Sequence, residues 1–176
     1  TYLDIADYVY PPPRPELVEG CLGQGSTTLL FGAPGACKSA VAMQWAVHVA
    51  AGIPWLGHPV EQGRVLYILG EGVPEEVMKR FHAIAASVGA DLGDVAKNLR
   101  IAMEPSFKLN DSETVYRFLK ENKEDDGQRV DLIILDTWVQ FNTGDNNSSQ
   151  DAMAAHDGIK AIKQAEHFRE GEHARP

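Results

Sequence analysis

Residues 27–40 read TTLLFGAPGACKSA, and they decide the fold class of this 176-residue chain. An apolar run is followed by a glycine-rich loop and the first turn of a helix. The pattern G-x-x-x-x-G-K-[ST] at such a junction binds phosphate: backbone N–H groups surround the β-phosphate, the lysine contacts the β/γ-phosphates and the hydroxyl binds Mg²⁺. Gly32, Lys38 and Ser39 match this pattern, whereas Cys37 stands where it has glycine. The loop therefore predicts a nucleotide site with one departure.

The segments on either side of the loop favour this interpretation over an ordinary turn. Residues 26–31 are apolar and β-branched, which predicts a buried parallel strand. From Ala40 onward the chain has the pattern of a largely apolar helix that stops near Gly52. The sequence thus supplies the strand, loop and helix that the motif requires.

Composition limits the remaining possibilities. The 176 residues are 44% hydrophobic with a formal net charge of −9, which predicts one globular domain without a broadly basic face. Any nucleic-acid contact must then come from a local groove or from loops brought together by assembly. Two cysteines and no membrane-length apolar stretch or basic leader favour a reducing, cytoplasmic setting.

Strand and helix patterns alternate through the rest of the chain. Residues 64–69, 99–103 and 130–136 have strand patterns, and helices are predicted from Pro74 to about Gly89 and over residues 112–122. This order predicts a doubly wound α/β domain with a parallel sheet and ligands at the carboxyl ends of its strands. Lys38, Glu71 and Asp136 all fall at that edge.

Three motifs together resemble a known family. They are GAPGACKS at residues 32–39, GRVLYILGE ending in Glu71, and LIILDTW at residues 132–138, followed by a polar loop at residues 141–148. In this combination the chain is similar to the RecA-like ATPase domain of plasmid and phage RepA-type hexameric replicative helicases, from about residue 18 to about residue 163. The first and third motifs correspond to Walker A and Walker B.

The resemblance implies a three-layer α/β/α RecA-like P-loop core that binds ATP and Mg²⁺ and unwinds or translocates along DNA. It assigns Lys38 and Glu71 to catalysis, Glu71 by polarising the attacking water, and assigns Mg²⁺ to Ser39 and Asp136. It also implies single-stranded DNA as a partner and a homo-hexamer, with no membrane. The implied nucleotide-binding residues are Gly32, Ala33, Pro34, Gly35, Ala36, Cys37, Lys38, Ser39 and Ala40.

Plainer interpretations compete with some of these roles. Glu71 can also be interpreted as a solvated carboxylate at the end of a strand. Glu75 and Glu76 fit the role of negative charges at a helix N-terminus better than that of catalysts. Cys21 and Cys37 lack the paired motif of a zinc site, so no structural metal is expected.

Cys37 is the first departure from the family pattern. The backbone must pass close to the phosphates there, and if the loop also requires a positive φ, a residue other than glycine costs roughly 1 to 2 kcal/mol. Nucleotide affinity should therefore suffer. A thiol beside Lys38 at a helix N-terminus also raises the hypothesis of a reactive or redox-sensitive group.

The C-terminal segment is the second departure. Family members continue into an apolar strand that carries a polar sensor residue and lies between the Walker A and Walker B strands. Residues 166–176 read EHFREGEHARP, which cannot form a central buried strand. We expect an open place in the sheet and either a truncated or frame-shifted gene fragment or a natural short variant. The predicted organisation is an N-terminal arm (1–19), the ATPase core (20–165) and a charged tail (166–176).

Three functions remain open at this point. They are an ATP-driven DNA helicase or translocase, a regulatory RecA-like ATPase without helicase activity, and an inactive phage or plasmid remnant. The resemblance favours the first, while Cys37 and the missing strand favour the last.

Overall fold

The computed structural model describes residues 8–10, 12–103, 106–121, 130–142 and 149–167. Strands and helices alternate along most of this length, as the sequence patterns predict. In chain order the elements are β1 (Glu16–Val18), β2 (Leu22–Gly23), α1 (Lys38–Ala51), β3 (Val65–Leu69), α2 (Pro74–Ser87), α3 (Leu92–Asn98), β4 (Leu99–Met103), α4 (Ser112–Glu121), β5 (Leu132–Asp136), α5 (Trp138–Phe141) and α6 (Ser149–His167).

The main sheet is parallel and has the strand order β4-β3-β5. Val65 of β3 is in register with Leu99 on one side and Leu132 on the other, and Leu69 at its end is in register with Asp136. All five residues of β3 are buried, as a strand with two neighbours and two covered faces should be. The register brings the carboxyl ends of β3 and β5 to the same edge of the sheet.

Helices cover both faces of this sheet. Val65, Tyr67 and Leu69 pack into a core cluster with α1, α2 and α3. Leu66 and Ile68, which point the other way because strand side chains alternate, pack with α4, α5 and α6. The predicted α/β fold with three layers is confirmed.

Helix α1 begins at Lys38, directly after the glycine-rich loop, and its apolar middle is fully buried. It ends as the sequence predicts, because Gly52 adopts φ 69° and its N–H donates to the carbonyls of His48 and Val49. Helix α2 has Pro74 in its first turn with Glu75 beside it, where a missing amide and a negative charge are both favourable.

The strand predicted at residues 26–31 is absent from the structure, so that prediction was wrong. These residues form no strand and are exposed to solvent; the exposed fraction is 67% for Leu29 and 83% for Phe31. A strand requires a neighbour for its backbone groups. Among the described residues β5 pairs with β3 on one side and has no strand on the other.

Residues 16–18, at the end of the predicted N-terminal arm, form β1, and Leu17 and Val18 are buried in the core. β1 pairs antiparallel with β2, and Glu61 N–H donates to the carbonyl of Leu17 at 2.9 Å, which attaches β1 to the segment before β3. The division into arm, core and tail at residues 20 and 165 stays a prediction, and residues 168–176 lie outside the described part of the chain. No helix within the described residues is long and apolar enough to cross a membrane.

Candidate nucleotide-binding site

The glycine-rich loop is built from residues in the left-handed region of backbone space. Gly35 has φ 79° and Cys37, the residue that caps the helix, has φ 57° and ψ 24°. Ala36 N–H donates to the Ala33 carbonyl at 3.2 Å, which closes a turn, and the Cys37 carbonyl accepts the first bond of α1 from Val41 at 3.0 Å. The loop therefore places a cysteine in a conformation that favours glycine.

Lys38 lies within the loop rather than extending into solvent. Its Nζ donates to the carbonyls of Gly32 and Ala33, each at 3.0 Å. Those bonds hold a positive charge at the N-terminus of α1, where the backbone N–H groups of the first turn have no partner within a helix. Positive charge and free amides at one place form an anion-binding arrangement.

Asp136 at the end of β5 connects the loop helix to the sheet. Ser39 Oγ donates to Asp136 Oδ1 at 3.1 Å, across 97 residues of sequence. Tyr67 Oη donates to the other carboxylate oxygen, Oδ2, at 2.7 Å. Each oxygen of the Asp136 carboxylate thus accepts a hydrogen bond from a protein hydroxyl, and the two bonds fix the orientation of the carboxylate.

Tyr67 is a contact of the candidate site that the sequence reasoning missed. The side chain is fully buried in the middle of β3, and its ring makes an edge contact with Phe81 of α2. Burial and then the negative charge of Asp136 raise the pKa of Tyr67 far above its ordinary value, so the phenol stays protonated and acts as a donor. A tyrosine inside an otherwise aliphatic strand is a signal that could have been read, since a buried hydroxyl needs a partner.

Glu71 follows β3 by two residues and is exposed at the same edge of the sheet. Its Oε2 accepts a hydrogen bond from Gln140 Nε2 at 2.9 Å. Gln140 belongs to the short helix α5 after Asp136, and sequence reasoning assigned it no role. The candidate base therefore has a neutral donor beside it.

A cavity of about 370 Å³ lies beside the carboxyl ends of β3 and β5. Ser39, Glu71 and Asp136 line it together with residues of α2, among them Glu76 and Arg80. The structure thus brings together three of the residues predicted from motifs that lie far apart in sequence. The loop residues from Gly32 to Lys38 do not line this cavity.

A comparison with family profiles matches residues 3–169 to the family described as "AAA domain". The match covers most of the 176 residues. The chain belongs to the AAA-domain family. No curated protein matches this chain. Membership identifies this AAA domain as one of the P-loop ATPase type, with ATP as the expected nucleotide.

The residues of this AAA domain fit Mg²⁺ chemically. Mg²⁺ prefers oxygen ligands, and in nucleotide sites it takes one or two protein groups together with phosphate oxygens and water. The Ser39 hydroxyl and the Asp136 carboxylate are such a pair, 3.1 Å apart. Within the described ranges no group of three or more His, Cys, Asp or Glu is arranged to hold a metal.

Part of the predicted site lies beyond what the structure describes. The polar loop at residues 141–148 is described only at Phe141 and Asn142, both buried. Phe141 closes the core under α5, and its carbonyl accepts from Leu109 N–H at 2.7 Å. The start of the loop is thus anchored in this AAA domain, while residues 143–148 fall outside the described ranges.

Proposed function

We propose that this chain binds Mg-ATP and hydrolyses it as the motor domain of a RepA-type replicative DNA helicase. The observation that carries the proposal is the hydrogen bond between Ser39 of the loop helix and Asp136 of β5, with Glu71 on the same cavity wall. A hydroxyl, a carboxylate and a candidate base at one edge of a parallel sheet are the groups that phosphoryl transfer to water requires.

Each residue has a distinct role in this proposal. Lys38 and the first turn of α1 bind the β/γ-phosphates, and Ser39 and Asp136 hold Mg²⁺, which neutralises charge on the phosphates when bound. Glu71 orients the attacking water and accepts its proton. Tyr67 donates a hydrogen bond to one oxygen of Asp136 and so restricts the rotation of the carboxylate at the cavity.

The helicase part of the proposal rests on the motifs that resemble RepA-type proteins. Single-stranded DNA and a homo-hexamer are the partners that accompany it. With a net charge of −9, we expect DNA to be contacted by a local groove or by loops brought together in an assembly rather than by one basic face.

Two observations favour a different outcome. Cys37 occupies a left-handed backbone conformation in the phosphate loop, and residues 26–31 stand outside the sheet. We expect both features to weaken nucleotide binding, and they favour an inactive domain. A regulatory ATPase is the intermediate case, because it needs the cavity and its three side chains but no DNA.

ATP hydrolysis with and without single-stranded DNA separates these functions. Turnover that rises with DNA supports the helicase proposal, DNA-independent turnover supports a regulatory ATPase, and no turnover supports an inactive domain. Lys38→Ala should abolish nucleotide binding. Lys97→Ala is the matched control, because Lys97 is an exposed lysine of α3 paired with Asp94 at 2.7 Å.

A further inference from the structure

Among the residues that the structure describes, Gln140 donates a side-chain hydrogen bond to Glu71, which lines the cavity. Its Nε2 lies 2.9 Å from Glu71 Oε2, across 69 residues of sequence. We propose that Gln140 is a positioning residue that holds the carboxylate of Glu71 toward the cavity. This inference rests on the proposed ATPase function and adds a residue to it.

Glu71 needs such a partner because nothing in its own segment fixes it. It follows β3 in an irregular stretch and is exposed, so its side chain has several rotamers available. A base must lie within hydrogen-bonding reach of the water that it activates. A donor on one carboxylate oxygen restricts the rotation of the group and leaves the other oxygen for water.

An amide suits this task. The Gln140 amide is neutral and does not exchange protons with a carboxylate, so it can orient Glu71 without competing for the proton that the base accepts. A lysine or arginine at the same place would instead form an ion pair with the base. The hydrogen bond to a charged acceptor is also stronger than one between neutral groups.

The backbone around Gln140 is held firmly enough to position another side chain. Gln140 N–H donates to the Thr137 carbonyl at 3.1 Å, and the Gln140 carbonyl accepts from Lys108 Nζ. The next residue, Phe141, is fully buried against Phe107. Helix α5 is therefore anchored on the side of the core that faces away from α1.

Gly70 makes the close approach of α5 possible. Its N–H donates to the Asp136 carbonyl at 2.9 Å, which joins the ends of β3 and β5. A Cβ built on Gly70 would overlap the Cβ of Gln140 and lie 3.1 Å from Cζ of Phe141. A side chain at residue 70 would push α5 away and break the contact with Glu71. The absence of a side chain at Gly70, directly before the candidate base, thus leaves room for Gln140 beside Glu71.

The test uses Gln140→Leu, which keeps a similar volume and removes the donor, with Gln164→Leu on the exposed side of α6 as the matched control. We expect kcat for ATP to fall about ten- to a hundredfold in Gln140→Leu while nucleotide affinity is unchanged, because a displaced catalytic group affects the reaction more than binding. Turnover equal to that of the unmodified chain would overturn the proposal.

A double-mutant cycle distinguishes positioning from a general structural defect. If Gln140 acts through Glu71, Gln140→Leu should have no further effect on kcat in a Glu71→Gln background. Independent, multiplying losses would assign Gln140 a merely structural role and overturn the proposal. Gly70→Ala should reproduce the loss of Gln140→Leu, since both changes remove the same contact.

A nuclear magnetic resonance readout does not depend on turnover. The side-chain amide protons of Gln140 should be shifted downfield in the unmodified chain and return toward ordinary values in Glu71→Ala. If the side-chain amide resonances of Gln140 are unchanged in Glu71→Ala, the two side chains are not in contact in solution and the proposal is overturned. If no variant hydrolyses ATP, Cys37→Gly included, the proposed ATPase function is refuted together with the kinetic role of Gln140. If ATP is hydrolysed at the same rate with and without the Gln140 amide, only the positioning role is refuted.

Discussion

Replacing Cys37 with glycine tests how the phosphate loop works. Cys37 has φ 57° and ψ 24°, its side chain is exposed, and its Sγ lies 3.7 Å from the Gly35 carbonyl. No packing is lost when an exposed thiol is removed. The change therefore acts mainly on the backbone, through the freedom of residue 37 to adopt a left-handed conformation.

The magnitude follows from that conformation. A left-handed backbone disfavours a residue with a Cβ by about 1 to 2 kcal/mol relative to glycine. Because residues 26–37 are exposed, the loop can escape this strain by leaving the binding conformation, and the apparent affinity falls by the fraction of chains that do so. Relief of 1 to 2 kcal/mol corresponds to a gain of about 5- to 30-fold in the affinity for Mg-ATP.

The assay is calorimetric titration of Mg-ATP into the unmodified chain and Cys37→Gly, with Cys37→Ala as the matched control. Alanine removes the thiol but keeps the Cβ, so its affinity should stay close to that of cysteine. A gain with alanine as large as with glycine would attribute the effect to the sulfur. Tight binding by the unmodified chain that glycine leaves unchanged would refute the strain argument.

Four further predictions concern the site and the sheet. Glu71→Gln should lower kcat at least about a hundredfold with ATP affinity nearly intact, because the amide keeps the shape and loses the basicity; equal turnover would assign water activation elsewhere. Tyr67→Phe removes the donor 2.7 Å from Asp136, so the free energy of unfolding should fall by about 1 to 3 kcal/mol, as denaturant titration measures. The Mg²⁺ concentration required for nucleotide binding should also rise, and an unchanged requirement in a Mg²⁺ titration would exclude an orienting role for Tyr67. A thiol reagent should label Cys37, and ATP should protect it; labelling of Cys21 only would contradict a reactive thiol in the loop. The chain should self-associate as its concentration rises, since β5 pairs on one side only among the described residues and apolar residues of the 26–31 segment are exposed. Light scattering that reports a monomer at every concentration, with a sharp thermal transition, would show that the sheet edge is already protected.

Much of the local structure follows from sequence patterns. Helix α1 ends at Gly52 because glycine tolerates the left-handed cap, and α2 starts at Pro74 because proline suits a first turn. Strands β3, β4 and β5 lie within the predicted segments because apolar, β-branched runs of that length fit a buried parallel sheet. These features depend on neighbours within a few residues, which a sequence displays directly.

The short elements were not predicted from sequence. Helix α3 is seven residues long, capped by Asp91 accepting from Asp94 N–H at 3.0 Å, and α5 has only four residues. Such segments carry too few residues to display a hydrophobic period. Their positions are determined by the elements that they join.

The sequence by itself determined that this chain is an α/β protein with a phosphate-loop motif, and it placed Ser39, Glu71 and Asp136 after strands or at a helix start. Only the tertiary structure decided that residues 26–31 form no strand, and that Tyr67 and Gln140 contact Asp136 and Glu71. The physical reason is the same in each case. A strand needs a partner for its backbone and a hydrogen bond needs two groups in contact, and both partners lie far away in sequence.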